Sequence, residues 1–231
     1  ECISVFDMLK IGVGPSSSHT LGPWRAAERF LEELRQDFDL NSITRVKVDL
    51  YGSLSLTGKG HATDLAVMLG LSGQDPEYIP VQDIDGIIKA IENNHLIQLG
   101  NEKALPFYIL QDIVFHKEFL PFHANGLTFT AFFENETEYA STFYSIGGGF
   151  VVKEERATAK KKLSVKCAFP FPIDNAIQLL AYTKDENKSV YEIVYENEKS
   201  MRSEAEIHIQ LMRVWHTMLE CMYIGCHSEG I

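Results

Sequence analysis

Three histidines stand among residue types that can move protons or hold an anion. His19 lies in Gly14-Pro15-Ser16-Ser17-Ser18-His19-Thr20-Leu21-Gly22-Pro23, just ahead of a helical pattern. Hydroxyls and free backbone N–H groups at a helix N-terminus suit a carboxylate or a phosphate, because dipole and donors both favour negative charge. The plainer alternative is a polar turn in which Ser18 or Thr20 only caps the helix. His61 lies in Tyr51-Gly52-Ser53-Leu54-Ser55-Leu56-Thr57-Gly58-Lys59-Gly60-His61-Ala62-Thr63-Asp64. Gly60 follows Lys59 where a Walker A loop needs Ser or Thr, so this is not a nucleotide loop. A histidine beside Lys59 and a helix N-terminus has its protonated form disfavoured and can act as a neutral general base; it can equally cap the helix or satisfy a loop carbonyl. His123 sits one residue outside Asn125-Gly126, a dipeptide that predicts a hairpin between two strands. Ser145 precedes Gly147-Gly148-Gly149, where absent side chains permit close approach of a ligand or simply a flexible connection. The coarse topology can bring His19, His61 and His123 to one rim, whereas His208 and His216 fall in a helical pattern and His95 and His116 in strand surroundings.

The elements that must position these residues are legible from period. Ala27, Phe30, Leu31, Leu34 and Phe38 make a helical stripe over 22–38, and Ile84, Ile87, Ile88 and Ile91 another over 83–94; 60–71 also reads as helix. Val46, Val48 and Leu50 alternate with Arg45, Lys47 and Asp49, predicting a strand with one wet face. Segments 107–115, 127–133, 139–146 and 150–152 read as further strands. After Pro170 and Pro172 the patterns are helical, with Asp174 and Ser189 as caps and Ser203 with Glu206 as a capping box. The fold class is therefore α+β over 1–155, then a linker over 156–172 containing Lys160-Lys161-Lys162, then helices over 173–231 whose apolar faces lack companions within the chain.

Composition sets the outer limits. The 231 residues carry 21 Lys and Arg against 32 Asp and Glu, a net charge of -11, which argues against nucleic acid as a partner. No apolar run reaches the ~20 residues of a membrane span, and Glu1-Cys2-Ile3-Ser4 is not a secretory signal, so a soluble cytoplasmic protein without membrane contact is expected. Cys2, Cys167, Cys221 and Cys226 are too few and too scattered for a disulfide scaffold, and the Cys-x4-Cys of Cys221 and Cys226 is a poor match to zinc spacings, so these two are expected to be buried or incidental thiols. The end at Gly225-Cys226-His227-Ser228-Glu229-Gly230-Ile231 reads as an interruption.

Ser4-Val5-Phe6-Asp7-Met8, then Ile11-Gly12-Val13-Gly14-Pro15-Ser16-Ser17-Ser18-His19-Thr20, Tyr51-Gly52-Ser53-Leu54 with Gly58-Lys59-Gly60-His61, His123-Ala124-Asn125-Gly126 and Tyr144-Ser145-Ile146-Gly147-Gly148-Gly149 occur in this order. In that order they resemble the bacterial iron–sulfur L-serine dehydratases (L-serine ammonia-lyases). The resemblance runs to the end, where Gly225 to Ile231 is similar to the start of the family's catalytic segment. It implies conversion of L-serine to pyruvate and ammonia, in amino-acid degradation feeding gluconeogenesis, with a 4Fe–4S cluster in place of pyridoxal phosphate. It also implies a homodimer, an N-terminal β domain similar to the allosteric substrate-binding domain of some phosphoglycerate dehydrogenases, and a C-terminal α domain holding the cluster on three cysteines. The open iron of such a cluster would act as a Lewis acid on the serine hydroxyl. By the same resemblance His61 is the base with Lys59 influencing its charge; Ser16, Ser17, Ser18, His19 and Thr20 line the substrate side, and His123, Asn125 and Ser145 support the pocket. None of the four cysteines matches the family's cluster ligands, so no metal is expected on this chain, and alone it is expected to be inactive. The alternative from another class is a non-catalytic module that senses an amino acid or dimerises; a phosphate-binding domain using the Ser16–Thr20 loop lacks the neighbouring arginines.

Overall fold

The structure is a computed structural model and describes residues 3–154 and 169–229. These fall into two compact units, a larger one of residues 12–154 and a smaller one of residues 3–11 with 169–229. Lys160-Lys161-Lys162, most of the expected linker, Cys2 and Cys167 lie outside the described residues.

Along the chain, α1 (Val5–Met8) belongs to the smaller unit. The larger unit then runs through a π-helical turn (Ser17–Leu21), α2 (Gly22–Asp37), β1 (Ile43–Leu50), α3 (Ser53–Leu56), a 3-10 turn (Gly58–His61), α4 (Thr63–Leu71) and α5 (Val81–Asn94). It continues with β2 (Leu96–Leu99), β3 (Lys103–Pro106), α6 (Ile109–Asp112), β4 (Ile113–Phe115), β5 (Gly126–Phe133), β6 (Glu138–Gly147) and β7 (Phe150–Lys153). The five-stranded sheet has the order β4-β1-β5-β6-β7, with β2 and β3 forming a separate hairpin. Only β1 and β4 run parallel; the other neighbours in the sheet are antiparallel. This mixed sheet with packed helices is the α+β arrangement that the alternating and helical periods predict. Val46, Val48 and Leu50 of β1 are buried with Phe129 and Phe143, and α2 lays Phe30 against the sheet, its ring stacked 5.2 Å from Phe129. Each such side chain taken fully out of water contributes about 1.5–3 kcal/mol, so the helical stripe fixes α2 face-down on the strands that carry the later motifs.

Two expectations change. Segment 107–115 is not one strand. The Asp112 carboxylate, 1% exposed, accepts the Tyr108 N–H at 2.6 Å and meets the Arg45 guanidinium at 2.6 Å, which winds Ile109–Asp112 into a helical turn and leaves only β4 extended. Asn125-Gly126 is not a hairpin turn either. β4 and β5 are separated in the sheet by β1, and Asn125 is instead consumed by β6: its Nδ2 donates to the Ser145 carbonyl at 3.1 Å, and its own carbonyl accepts the Ser145 N–H at 3.0 Å. The sheet's hairpin reversals are made by 134–137, with Glu136 at φ 63°, and by Gly147-Gly148-Gly149, all three at positive φ. His95, expected in a strand, ends α5 in the left-handed conformation and stacks on Tyr108.

In the smaller unit α7 (Ala176–Asp185), α8 (Val190–Lys199) and α9 (Glu204–His227) follow. Asn175, not Asp174, caps α7, whereas Ser189 with Glu192 and Ser203 with Glu206 form capping boxes at α8 and α9. Residues 3–8 join α8 through a buried carboxylate: Glu198, 4% exposed, accepts Ser4 Oγ–H at 2.9 Å and the Val5 N–H at 2.8 Å and pairs with Arg202 at 2.8 Å. A carboxylate taken out of water this far must be paired to persist. Trp215, Met218, Met222, Tyr223 and Ile224 of α9 are exposed, and Cys221 and Cys226 are exposed rather than buried. No described helix is long and apolar enough to cross a membrane.

Candidate functional site

The serine-rich segment folds as a π turn that runs straight into α2. Ser16 caps it, its Oγ accepting the His19 N–H at 3.3 Å, and neither Ser18 nor Thr20 caps α2. The N–H groups of Thr20 and Leu21 go to the Ser16 carbonyl and that of Gly22 to the Ser17 carbonyl, so these donors are committed within the turn. What the turn presents is side chains. Ser18 Oγ lies 2.9 Å from His19 Nδ1 and 3.3 Å from Ser16 Oγ, and Ser17 is exposed. A π turn inside a helical path is uncommon and frequently marks a functional site.

His61 closes the 3-10 turn and is half-buried. Ala62 follows at φ 56°, ψ 37°, a left-handed conformation that costs an L-residue roughly 1–2 kcal/mol. That twist starts α4 only at Thr63, three residues later than the helix period predicts, and leaves His61 outside the helix on an open cleft. The cleft holds ≈ 600 Å³ and is lined by Ser55, Leu56, Thr57, Gly60, His61 and Phe115. The Lys59 side chain lies outside the described residues.

The His19 and His61 rings stand 5.1 Å apart, tilted by 50°. Two crossed hydrogen bonds set that spacing. Thr20 Oγ1, from the first loop, donates to the His61 carbonyl at 2.8 Å, and Thr63 Oγ1, from the second, donates to the His19 carbonyl at 2.6 Å. Each threonine holds the backbone of the other loop's histidine, so the two loops cannot separate without breaking both part-buried bonds. His19 Nε2 is 3.0 Å from Ser53 Oγ. Protonation of His19 is disfavoured, first by burial and second by the neighbouring His61, against an opposing contribution from a hydrogen bond to the Ser53 backbone.

Ser145 and Asn125 lie beneath this pair. Ser145, fully buried, donates from Oγ to the Ser18 carbonyl at 2.8 Å, and the Asn125 N–H donates to His123 Nδ1 at 3.1 Å. His123 is thus linked to the serine turn through Asn125 and Ser145 and does not line the cleft that His61 lines. Ser16, Ser18, Thr20 and Ser145 are each bonded directly to His19, to His61 or to the turn carrying His19.

Ser53 and Thr63 fall within the motif around His61, where nothing in the sequence marks their hydroxyls as partners of the serine turn. The signal for Ser53 was the glycine before it. Gly52 has φ 55°, and a Cβ there would stand 2.4 Å from the Ala124 carbonyl oxygen, so only glycine lets the chain turn sharply from β1 and present the Ser53 hydroxyl. A second group gathers on β1 and the residue after β4. Asp49, 8% exposed, receives His116 Nε2 at 2.6 Å and Lys47 Nζ at 2.8 Å, and the His116 ring stacks 4.7 Å from Tyr51. Burial and the Asp49 charge push the Tyr51 phenol up.

Comparison with known proteins gives a consistent result. A family profile described as serine dehydratase beta chain matches residues 4–156. An L-serine dehydratase of Haemophilus influenzae is 40% identical over 231 residues, covering 99% of this chain and 50% of that protein. L-serine dehydratase 1 of Escherichia coli is 41% identical over 232 residues with coverage of 99% and 50%, and an L-serine dehydratase of Streptomyces coelicolor 39% identical over 231 residues with coverage of 99% and 51%. The chain spans about half the length of these curated relatives.

Proposed function

Because this chain belongs to the serine dehydratase beta chain family, we propose that it forms one half of an L-serine dehydratase, the half that removes the substrate's α-proton. Elimination of water from serine needs a base at Cα and a means of releasing hydroxide. His61 is the base in this reading: a half-buried imidazole on an open cleft, held at a set distance from a second imidazole whose protonated form is disfavoured. That juxtaposition carries the proposal. A neutral His19 leaves the abstracted proton on His61 without a like charge 5 Å away. In this reading Ser16, Ser17, Ser18, His19 and Thr20 face the substrate from beside the cleft, whose lining includes His61 but none of these five; Lys59 influences the charge of the base, and His123, Asn125 and Ser145 support the pocket.

The iron–sulfur cluster that the resemblance implies finds no ligand set among the described residues, where no group of three His, Cys, Asp or Glu side chains is arranged to hold a metal ion. Its three cysteines belong, in this proposal, to the length of the relatives that this chain does not span, and pyridoxal phosphate takes no part. A likeness of the larger unit to the allosteric substrate-binding domain of phosphoglycerate dehydrogenases, a cytoplasmic setting and a homodimer complete the reading.

The test is His61→Ala in the full-length protein. Serine-dependent pyruvate release is expected to fall by at least the ~10²-fold typical of losing a general base, with the visible absorption of the cluster unchanged. Turnover that persists, with only its response to serine altered, would favour an amino-acid-sensing module instead.

A further inference from the structure

We infer that Ser53 is a positioning residue that acts through His19 on the imidazole pair; the kinetic part of this inference rests on the dehydratase reading, the structural part does not. Both ring nitrogens of His19 end on hydroxyls, Nδ1 on Ser18 and Nε2 on Ser53. A neutral imidazole donates from one nitrogen and accepts at the other, so one serine donates and the other accepts; each hydroxyl can play either part, and what the two together fix is the orientation of the ring.

The two serines are not equivalent. Ser18 precedes His19 on the same turn and moves with it. Ser53 arrives from 34 residues away and is held independently of that turn. Its N–H donates to the Ala124 carbonyl at 2.8 Å, its carbonyl accepts Thr57 Oγ1–H at 2.9 Å, and Gly52 before it admits no side chain. Ser53 is therefore the fixed point against which the His19 ring is set. With the ring 5.1 Å from His61, its setting decides which edge the proposed base faces. Without the Ser53 hydroxyl, Nε2 loses its hydroxyl partner and the ring is held on this side by the Ser53 backbone alone.

Imidazole 15N spectra of histidine-labelled full-length protein, read beside steady-state kinetics, test this. The native His19 is expected to show ring 15N shifts of an imidazole with both nitrogens hydrogen-bonded. In Ser53→Ala the Nε2 shift should move and kcat should fall about tenfold with KM nearly unchanged, the size of effect expected for one lost hydroxyl contact. Ser53→Thr, which keeps the hydroxyl, should restore both readings; should Ser53→Ala not fold, Ser53→Cys gives the same two readings with a weaker partner. An unchanged His19 pattern, or an altered pattern with native kcat, overturns the inference. Failure of the dehydratase reading shows separately, as native turnover in His61→Ala.

Discussion

Gly22 is where the site tolerates least. A Cβ at this position would stand 2.0 Å from Ser145 Oγ and 2.7 Å from Ser145 Cβ, so the start of α2 and the middle of β6 touch only because one of them carries glycine. Gly22→Ala should destabilise the larger unit by ~1–3 kcal/mol, the usual result of forcing a methyl group into a packed contact. The Ser145→Ala background should rescue it only in part, because it removes the 2.0 Å contact and leaves the 2.7 Å one. Urea titration of the single and double variants decides this, and full rescue would mean that the Ser18 carbonyl bond, not the clash, is what matters. At this scale the sequence was legible wherever several unusual residues cluster. The runs around His19 and His61 hold side chains that meet in space. Ser53 and Thr63 stand in the run around His61, yet nothing in that run shows that their partners lie 34 and 44 residues away on the serine turn.

Helix starts and stripes are local properties, and most were readable in advance. The capping boxes at Ser189 and Ser203 follow from a hydroxyl and a carboxylate three residues apart, with no need of tertiary contacts. Ser203→Ala should therefore cost about 1 kcal/mol and speed amide exchange in the first turn of α9 while leaving α8 protected; equal loss in both helices would show that they open together. Where the element reading failed, a long-range contact outweighed a local preference. Tyr108–Asp112 is β-prone by composition, yet Asp112 is drawn under Arg45 of β1, 67 residues away, and the chain coils to reach it. Asn125-Gly126 has turn chemistry, yet β6 captures Asn125 before any turn can form. The pairing of β5 between β1 and β6 is a property of the sheet, which no window of a few residues contains.

For the molecule as a whole, the His19–His61 pair links the fold to pH. Burial and His61 hold His19 below its ordinary value of 6.5, so the unfolded chain takes up a proton there before the folded chain does. This contribution to stability is complete above pH 6.5 and is lost as the pH falls from 6.5 towards the lowered folded value. The urea midpoint is expected to decline on acidification through that window, and His19→Gln should flatten the decline; a parallel pH dependence in the variant would show that other groups govern it. The sequence by itself determined the acidic balance, the helical and strand periods, the capping boxes and the ordered motifs that mark the family, because each depends on residues that are neighbours in the chain. The tertiary structure alone decided which hydroxyl meets which imidazole nitrogen and which carbonyl. Those bonds, Ser53 to His19, Thr20 to His61, Thr63 to His19 and Ser145 to Ser18, span 34, 41, 44 and 127 residues. Separations of that size are closed only when buried apolar faces bring α2, α4 and the sheet together, and a hydrogen bond cannot select its partner until that packing has placed both groups within 3 Å.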